Sequence, residues 1–318
     1  MIRKLAVSSN SLCAHPVMRR RMLEAFPEAK LYDGDHRIED EDELIAFLKG
    51  HDAAVVGFEP ITDKVLSALP ELRVVSKWGA GCEKIDFEAL RRYGVRFGYT
   101  FGVNKLSVAE LTIAFMISAL RWIPPLNHAM RNGERPRNRN GRLLTGRTVG
   151  IHGCGNIGKE VVRLLQPFDC DILACDVKDF PDFYQEHSVT PVSFDELIAR
   201  SEVLTLHLPK TRLTRGLYNR EILERLRPDC VLVNTCRGEI VDEDALADIL
   251  EAGRIPAACF DVFAIEPAIC DRLLQNPNLL ATPHIGASTE ETRVMMVDAA
   301  IRGLTENDLV DPARYYDN

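Results

Sequence analysis

At 318 residues the chain is too long for one ordinary hydrophobic core and suits two domains. Its 46% hydrophobic and 27% charged content is that of a globular protein, and no uncharged apolar run reaches the roughly 18 residues of a membrane span. A formal net charge of −8 gives no general attraction to nucleic acid or anionic lipid, so neither a nucleic-acid nor a membrane partner is expected.

The chain opens Met1-Ile2-Arg3-Lys4-Leu5, which runs into an apolar strand and lacks the pattern of a cleavable signal. Strand-like runs appear at Leu5–Ser8, Ala53–Gly57, Val74–Lys77 and Val95–Gly98, with helical patterns between them such as Glu43–Lys49, Asp63–Leu69 and Asp86–Tyr93. Strands separated by helix-length connections pair in parallel, which predicts a doubly wound α/β sheet. A long apolar helix is predicted from about Ser107 to Trp122, stopped by Pro124-Pro125. Next comes a Gly/Asn/Pro-rich stretch with Arg131, Arg135, Arg137, Arg139, Arg142 and Arg147. It reads as a solvated loop, with contact to an acidic partner or substrate as the alternative.

A second block repeats the alternation with six strands: Thr148–His152, Asp171–Asp176, Val203–His207, Cys230–Asn234, Ala257–Asp261 and Leu279–Thr282. Six strands with intervening helices is the count of a Rossmann dinucleotide domain, so two parallel-sheet domains are expected. A last helix, beginning near Ser288, returns to the first block. The nine cysteines include no CxxC pair and no His-spaced cluster. That argues against a disulfide framework or a metal site, and for a reducing, cytoplasmic compartment.

The first strand of the second block leads into Gly153-Cys154-Gly155-Asn156-Ile157-Gly158, and a helix pattern opens at once at Lys159. GxGxxG alone is a weak signal, but a strand before it and a helix after it are the context its physics demands. Gly153 permits the tight turn, Gly155 lets backbone approach a pyrophosphate, and Gly158 allows close helix–strand packing. The helix N-terminus offers N–H groups and positive dipole to the anion. Asp176 closes the next strand, where a carboxylate can bind both ribose hydroxyls of NAD and repel the 2′-phosphate of NADP. Lys178 nearby is a cation that could help NADP. NAD is therefore the expected cofactor.

Ligands of open α/β sheets bind beyond the carboxyl ends of the strands. At three such ends stand Arg237, Glu266 and His284. Hydride delivery to a ketone leaves negative charge on oxygen that must be protonated, which suits histidine. A buried glutamate beside it would orient the ring and favour its protonated form. Arginine suits a carboxylate because its planar fork makes two parallel hydrogen bonds. Singly, Arg237 could cap a helix, Glu266 could be a solvated loop acid, and His284 a turn histidine. At consecutive strand ends they read as one site.

These residues belong to a larger set: Gly79-Ala80-Gly81, Ser107-Val108-Ala109-Glu110-Leu111, the glycine loop, Val233-Asn234-Thr235-Cys236-Arg237-Gly238, Phe260-Asp261-Val262-Phe263 with Glu266-Pro267, and Thr282-Pro283-His284. The set resembles the D-isomer-specific 2-hydroxyacid dehydrogenases over nearly the whole chain, most densely from Gly79 to Thr289. The resemblance implies an NAD-dependent enzyme moving a hydride between a D-2-hydroxy acid and its 2-oxo acid. It implies a flavodoxin-like substrate domain from residues 1–99 and 289–318, a Rossmann NAD-binding domain from residues 100–288, and a hinge near residues 100 and 288. His284 would be the acid/base, Glu266 its partner and Arg237 the substrate-carboxylate ligand, helped by backbone N–H groups of Gly79, Ala80 and Gly81. Asp261 would bind the nicotinamide amide, with Gly286 among the cofactor contacts. His207, Pro209 and Thr211 would line the adenosine side, and Thr235 and Cys236 the nicotinamide ribose. Members are usually homodimers, paired through the helix that Ser107–Trp122 matches.

The run Pro283-His284-Ile285-Gly286-Ala287-Ser288-Thr289 looks most like the 3-phosphoglycerate dehydrogenase branch. Lys77 stands where that branch often carries an arginine near the substrate phosphate; it reads either as a point charge for that phosphate or as a surface lysine at a strand end. Trp78 is either a packing residue or a selectivity wall. Against the branch, Cys82-Glu83-Lys84 replaces the family's usual Asp-Asn pair, and arginines stand where a tryptophan is common before Leu143. The same fold also carries non-enzymatic NAD-sensing interaction proteins of the corepressor kind, which keep the same trio. Turnover is what separates the two.

Overall fold

Runs of small and β-branched residues without polar alternation form the strands, and such runs need apolar cover on both faces. The structure, a computed structural model, describes residues 2–136, 140–266 and 271–312. The chain divides into two compact units, Met1–Asn104 with Ser288–Asn318, and Lys105–Ala287.

The first unit holds β1 (Leu5–Val7), β2 (Lys30–Leu31), β3 (Ala53–Val56), β4 (Val74–Lys77) and β5 (Arg96–Gly98). They lie parallel in the order β5-β4-β3-β1-β2, the flavodoxin-like order, and Asp308–Leu309 adds an antiparallel edge beside β5. All four residues of β3 are buried, as an inner strand covered on both faces requires. Asp40, Asp86 and Thr289 cap their helices by accepting from Glu43, Ala89 and Thr292 N–H. The helix Glu290–Gly303 packs on β4 and β5 at very close range: Ser76 Oγ donates to Ala300 O at 2.7 Å. A Cβ placed on Gly98 would overlap the Gly303 backbone.

The second unit holds β6 (Thr148–His152), β7 (Asp171–Cys175), β8 (Val189–Pro191), β9 (Val203–Leu206), β10 (Val231–Asn234), β11 (Ala257–Phe260) and β12 (Leu279–Ala281). The sheet is parallel throughout, in the order β12-β11-β10-β9-β6-β7-β8, so the order reverses between β6 and β9. Alternate residues feed two separate cores. Val203, Val231, Val233 and Cys259 face the helices Lys105–Leu120 and Asn156–Leu165. Leu204, Leu206, Leu232 and Phe260 face Phe194–Arg200 and Glu243–Glu251.

Three expectations change. The second sheet has seven strands instead of six, because β8 is a short edge strand ending in Pro191 and pairs only with β7. Pro124 and Pro125 do not stop the long helix, which ends at Leu120. They sit in the first turn of a further helix, Ile123–Arg131, where a missing N–H costs no bond. The two helices are bent by 65° about Trp122, whose φ is 56°. The arginine-rich stretch is also not wholly a loop. Arg131 lies in that helix, Arg147 pairs with Glu202 at 2.6 Å, and Arg142 lies 3.8 Å from Asp229. Arg137 and Arg139 fall outside the described residues. Among the described residues no single helix is long and apolar enough to cross a membrane.

The Gly98–Gly303 approach carries a test. Gly98→Ala overpacks a closed contact, which typically costs about 1–3 kcal/mol. The thermal midpoint should fall by roughly 2–4 °C for each kcal/mol. An unchanged melting curve would show that the helix Glu290–Gly303 gives way freely.

Candidate functional site

The glycine loop lies between β6 and the helix Asn156–Leu165. Gly153 has φ +94°, and a Cβ there would stand 2.5 Å from His207 O. At Gly158 a Cβ would overlap Gly153 O. Both glycines are therefore required by the protein's own backbone. Gly155 is different: its φ is −76° and a Cβ would meet nothing within 4 Å. It is the helix N-cap and has no side chain to cap the first turn, whose N–H groups are left without that acceptor. The Asp176 carboxylate closes the loop from β7, accepting Cys154 N–H at 2.5 Å on one oxygen and Lys178 N–H at 2.8 Å on the other.

After β9 come His207, Pro209 and Thr211. His207 Nε2 lies 3.1 Å from Thr205 Oγ1, while its Nδ1 is buried without a hydrogen-bond partner among the described residues. Burial pushes His207 down to about 3 and neighbouring His152 down to about 4, so both rings are neutral near pH 7. His152 Nδ1 is 2.6 Å from Tyr218 Oη. Thr211 and Thr214 tie the loop together, Thr214 Oγ1 donating to Pro209 O at 2.6 Å. An open glycine at a helix N-terminus, a carboxylate at the second strand end and an orphaned histidine nitrogen fit a dinucleotide.

The ends of β10, β11 and β12 are bound into one cluster. Asn234 Oδ1 accepts Cys236 N–H at 3.1 Å and its Nδ2 donates to Arg237 O at 3.0 Å, which turns the chain so that Arg237 leaves the strand end. Arg237 Nη1 donates to Cys236 O at 2.6 Å. A Cβ on Gly238 would overlap the Phe263 backbone, so this glycine seats the β10 loop against the β11 loop. Thr235 Oγ1 meets Thr112 Oγ1 at 3.0 Å on the long helix. Cys236 is buried, which pushes its thiol up to about 11 and makes it inert.

Asp261, 1% exposed, governs the next turn. Its Oδ1 accepts Thr282 Oγ1 at 2.5 Å and Ile285 N–H at 2.7 Å, and its Oδ2 accepts Gly286 N–H at 2.7 Å. Its backbone oxygen takes His284 N–H at 2.9 Å. Burial raises the carboxyl's pKa, against the pull of these donors. His284 is held at φ +54° by this frame, and its Nδ1 meets Glu266 Oε2 at 2.8 Å. Glu266 Oε1 accepts Phe263 N–H at 2.9 Å, so both of its oxygens are used. The expected burial of Glu266 is corrected: the Glu266 and His284 side chains are 34% and 42% exposed. Pro267 lies outside the described residues.

In the first unit Gly79 has φ +101°, and Ala80 O accepts from Tyr99 Oη at 2.6 Å. Lys77 is buried at 4% exposure and donates to Trp78 O at 2.8 Å, so the reading of a surface lysine is corrected. Residue types alone did not single out Asn234, Thr282, Ser107 or Glu243. Ser107 Oγ donates to Gly286 O at 2.6 Å, and Glu243 Oε1 accepts Ala264 N–H at 2.6 Å, steadying the loop that carries Glu266. The available signal was position: each borders a strand end or a helix start.

Residues 113–286 match the family model for the D-isomer specific 2-hydroxyacid dehydrogenase, NAD binding domain. The D-3-phosphoglycerate dehydrogenase of Mycobacterium tuberculosis is 35% identical over 256 residues, covering 80% of this chain and 48% of that protein. The chain thus spans about half the length of the phosphoglycerate dehydrogenases it matches. The hydroxypyruvate reductase of Thermotoga maritima is 34% identical over 260 residues, 80% of this chain and 84% of that protein. The solved structure of a glyoxylate reductase from Paecilomyes thermophila superposes with a TM-score of 0.83 at 27% identity, over 95% of this chain and 94% of that one.

The glycine loop yields a paired test. Gly155→Ala should leave the melting temperature nearly unchanged and weaken NADH binding, because only a ligand needs that space. Gly158→Ala should lower the melting temperature by itself, since its Cβ strikes the loop backbone. Equal NADH affinity for Gly155→Ala and the native chain, by fluorescence titration, would remove the loop as a pyrophosphate seat.

Proposed function

This chain belongs to the D-isomer specific 2-hydroxyacid dehydrogenase family, and on that premise we propose that it interconverts a small D-2-hydroxy acid and its 2-oxo acid with NAD. The observation that supports this most is the His284 Nδ1–Glu266 Oε2 hydrogen bond of 2.8 Å, at the edge of the sheet where the glycine loop also lies. Nicotinamide, when bound, supplies or accepts the hydride.

The chain's own residues then divide the remaining work. Glu266 holds His284 by Nδ1, which leaves Nε2 to give a proton to the carbonyl oxygen in reduction and to take it back in oxidation. Arg237 offers its fork to the substrate carboxylate, orienting C2 and offsetting charge that builds on oxygen. In the first unit, the backbone N–H groups of Gly79, Ala80 and Gly81 are the donors this reading assigns to a carboxylate. Asp261 has one acceptor position left on Oδ2, enough for a single amide donor. Asp176 receives the ribose hydroxyls, and His207, Pro209 and Thr211 line the adenosine. Thr235, Cys236 and Gly286 border the nicotinamide half, and the N–H groups around Gly155, Asn156 and Ile157 hold the pyrophosphate.

Relatives named for 3-phosphoglycerate, hydroxypyruvate and glyoxylate make two- and three-carbon 2-oxo acids the candidate substrates. A homodimer paired through the helix that Ser107–Trp122 matches is part of the reading. A cytoplasmic setting suits its free thiols.

His284→Gln is the direct test. NADH-coupled turnover of the accepted 2-oxo acid should fall by about 10²–10⁴-fold, as loss of a proton donor does, with NADH affinity nearly intact. Turnover at the native rate would remove His284 from the chemistry.

A further inference from the structure

Two successive amides of the β11 loop, Phe263 N–H and Ala264 N–H, are received by two different glutamates. Phe263 N–H goes to Glu266 Oε1 at 2.9 Å, and the other oxygen of Glu266 meets His284 Nδ1 at 2.8 Å. Ala264 N–H goes to Glu243 Oε1 at 2.6 Å. Glu243 is the first residue of the helix Glu243–Glu251, whose N-cap Asp242 accepts Ala245 N–H at 3.0 Å. The same Phe263–Ala264 peptide lies against Gly238, where a Cβ would overlap both Phe263 C and Ala264 N.

A carboxylate in the first turn of a helix is favoured by the helix dipole wherever its side chain points. The dipole does not explain why Glu243 takes an amide from a loop 21 residues further along the chain. Nor does the anchor float, because Ala245, Leu246, Ala247, Ile249 and Leu250 bury the helix in the core. Between Arg237 and Glu243 the chain makes the single 3-10 turn Gly238–Ile240 and then enters the helix. Arg237 thus stands at one end of a short link whose other end holds the loop of Glu266. All of these residues belong to one compact unit.

We propose that Glu243 is a positioning residue for proton transfer: by holding Ala264 N–H it fixes the peptide from which Glu266 aims His284. The proposal rests on the dehydrogenase reading of Glu266 and His284. Glu243 acts through the loop and touches neither substrate nor cofactor. Reduction needs the imidazole Nε2 within hydrogen-bond reach of the carbonyl oxygen, and a misplacement of about 1 Å can cost about 10²-fold in rate.

The test is steady-state reduction of the accepted 2-oxo acid by the full chain, with NADH affinity and the melting curve measured beside it. Glu243→Ala removes the acceptor and should lower kcat by roughly 10–100-fold, with KM for the 2-oxo acid and NADH affinity nearly unchanged. Glu243→Gln keeps a carbonyl acceptor at the same reach and should recover most of that kcat. In a Glu266→Ala background, Glu243→Ala should add almost no further loss, because residues that act through one another are not additive. Should Glu243→Ala fail to fold, Glu243→Thr, which suits a helix start but is two bonds shorter, must show the same fall in kcat. Native kcat in the folded Ala or Thr variant overturns the proposal. So does a Gln variant as slow as the Ala variant, or a full additional loss on top of Glu266→Ala; each leaves the dehydrogenase reading intact. No turnover of any 2-oxo acid by the native chain overturns the dehydrogenase reading itself and this proposal with it.

Discussion

One buried carboxylate holds the chemical end of the second unit together. Asp261 accepts three hydrogen bonds from the chain that follows β12 and lends its backbone oxygen to His284 N–H. A carboxylate this deep is costly unless its oxygens are filled, and the cheapest donors are the amides of a chain turned tightly around it. That turn forces His284 to a φ of +54°, a conformation few residues other than glycine accept, although histidine is among the more tolerant. The imidazole is thereby aimed at Glu266, which Phe263 N–H holds from the other side. Strain at His284 and order at Asp261 are two parts of the same arrangement.

The glycines show how protein and ligand divide the constraints. Gly153, Gly158 and Gly238 are glycines because the chain's own backbone passes where a Cβ would be. Gly155 has no such neighbour, so the space beside it belongs to whatever binds. The neutral His207, with a buried nitrogen that has no partner among the described residues, makes the same point at the next strand end. Dinucleotide recognition is thus written partly in contacts the protein makes and partly in contacts it leaves open. The Rossmann reversal of strand order between β6 and β9 sets those two strand ends side by side.

Much of this was legible in the amino-acid sequence because it follows from period and punctuation. The inner strand β3 is an unbroken apolar run, β9 and β10 are apolar but for Thr205 and Asn234, and the glycine loop stands where a strand gives way to a helix. β2 and β8 escaped notice because two or three half-exposed residues at a sheet edge carry no pattern. Pro124 and Pro125 do not by themselves distinguish a stop from a start, because proline suits the first turn of a helix as well as it ends one. The strand ends alone single out Arg237, Glu266 and His284 as candidates. The exposure of Glu266 and the burial of Lys77 could not be read this way, since each depends on which neighbouring loops fold over it.

The account stands on direct hydride delivery to C2 of a 2-oxo acid. The most direct measurement supplies NADH deuterated at C4 on the transferred face and examines the product by NMR and chiral chromatography. Deuterium at C2 of a D-2-hydroxy acid is the result the account requires. Product without label at C2, or of the L configuration, would contradict it.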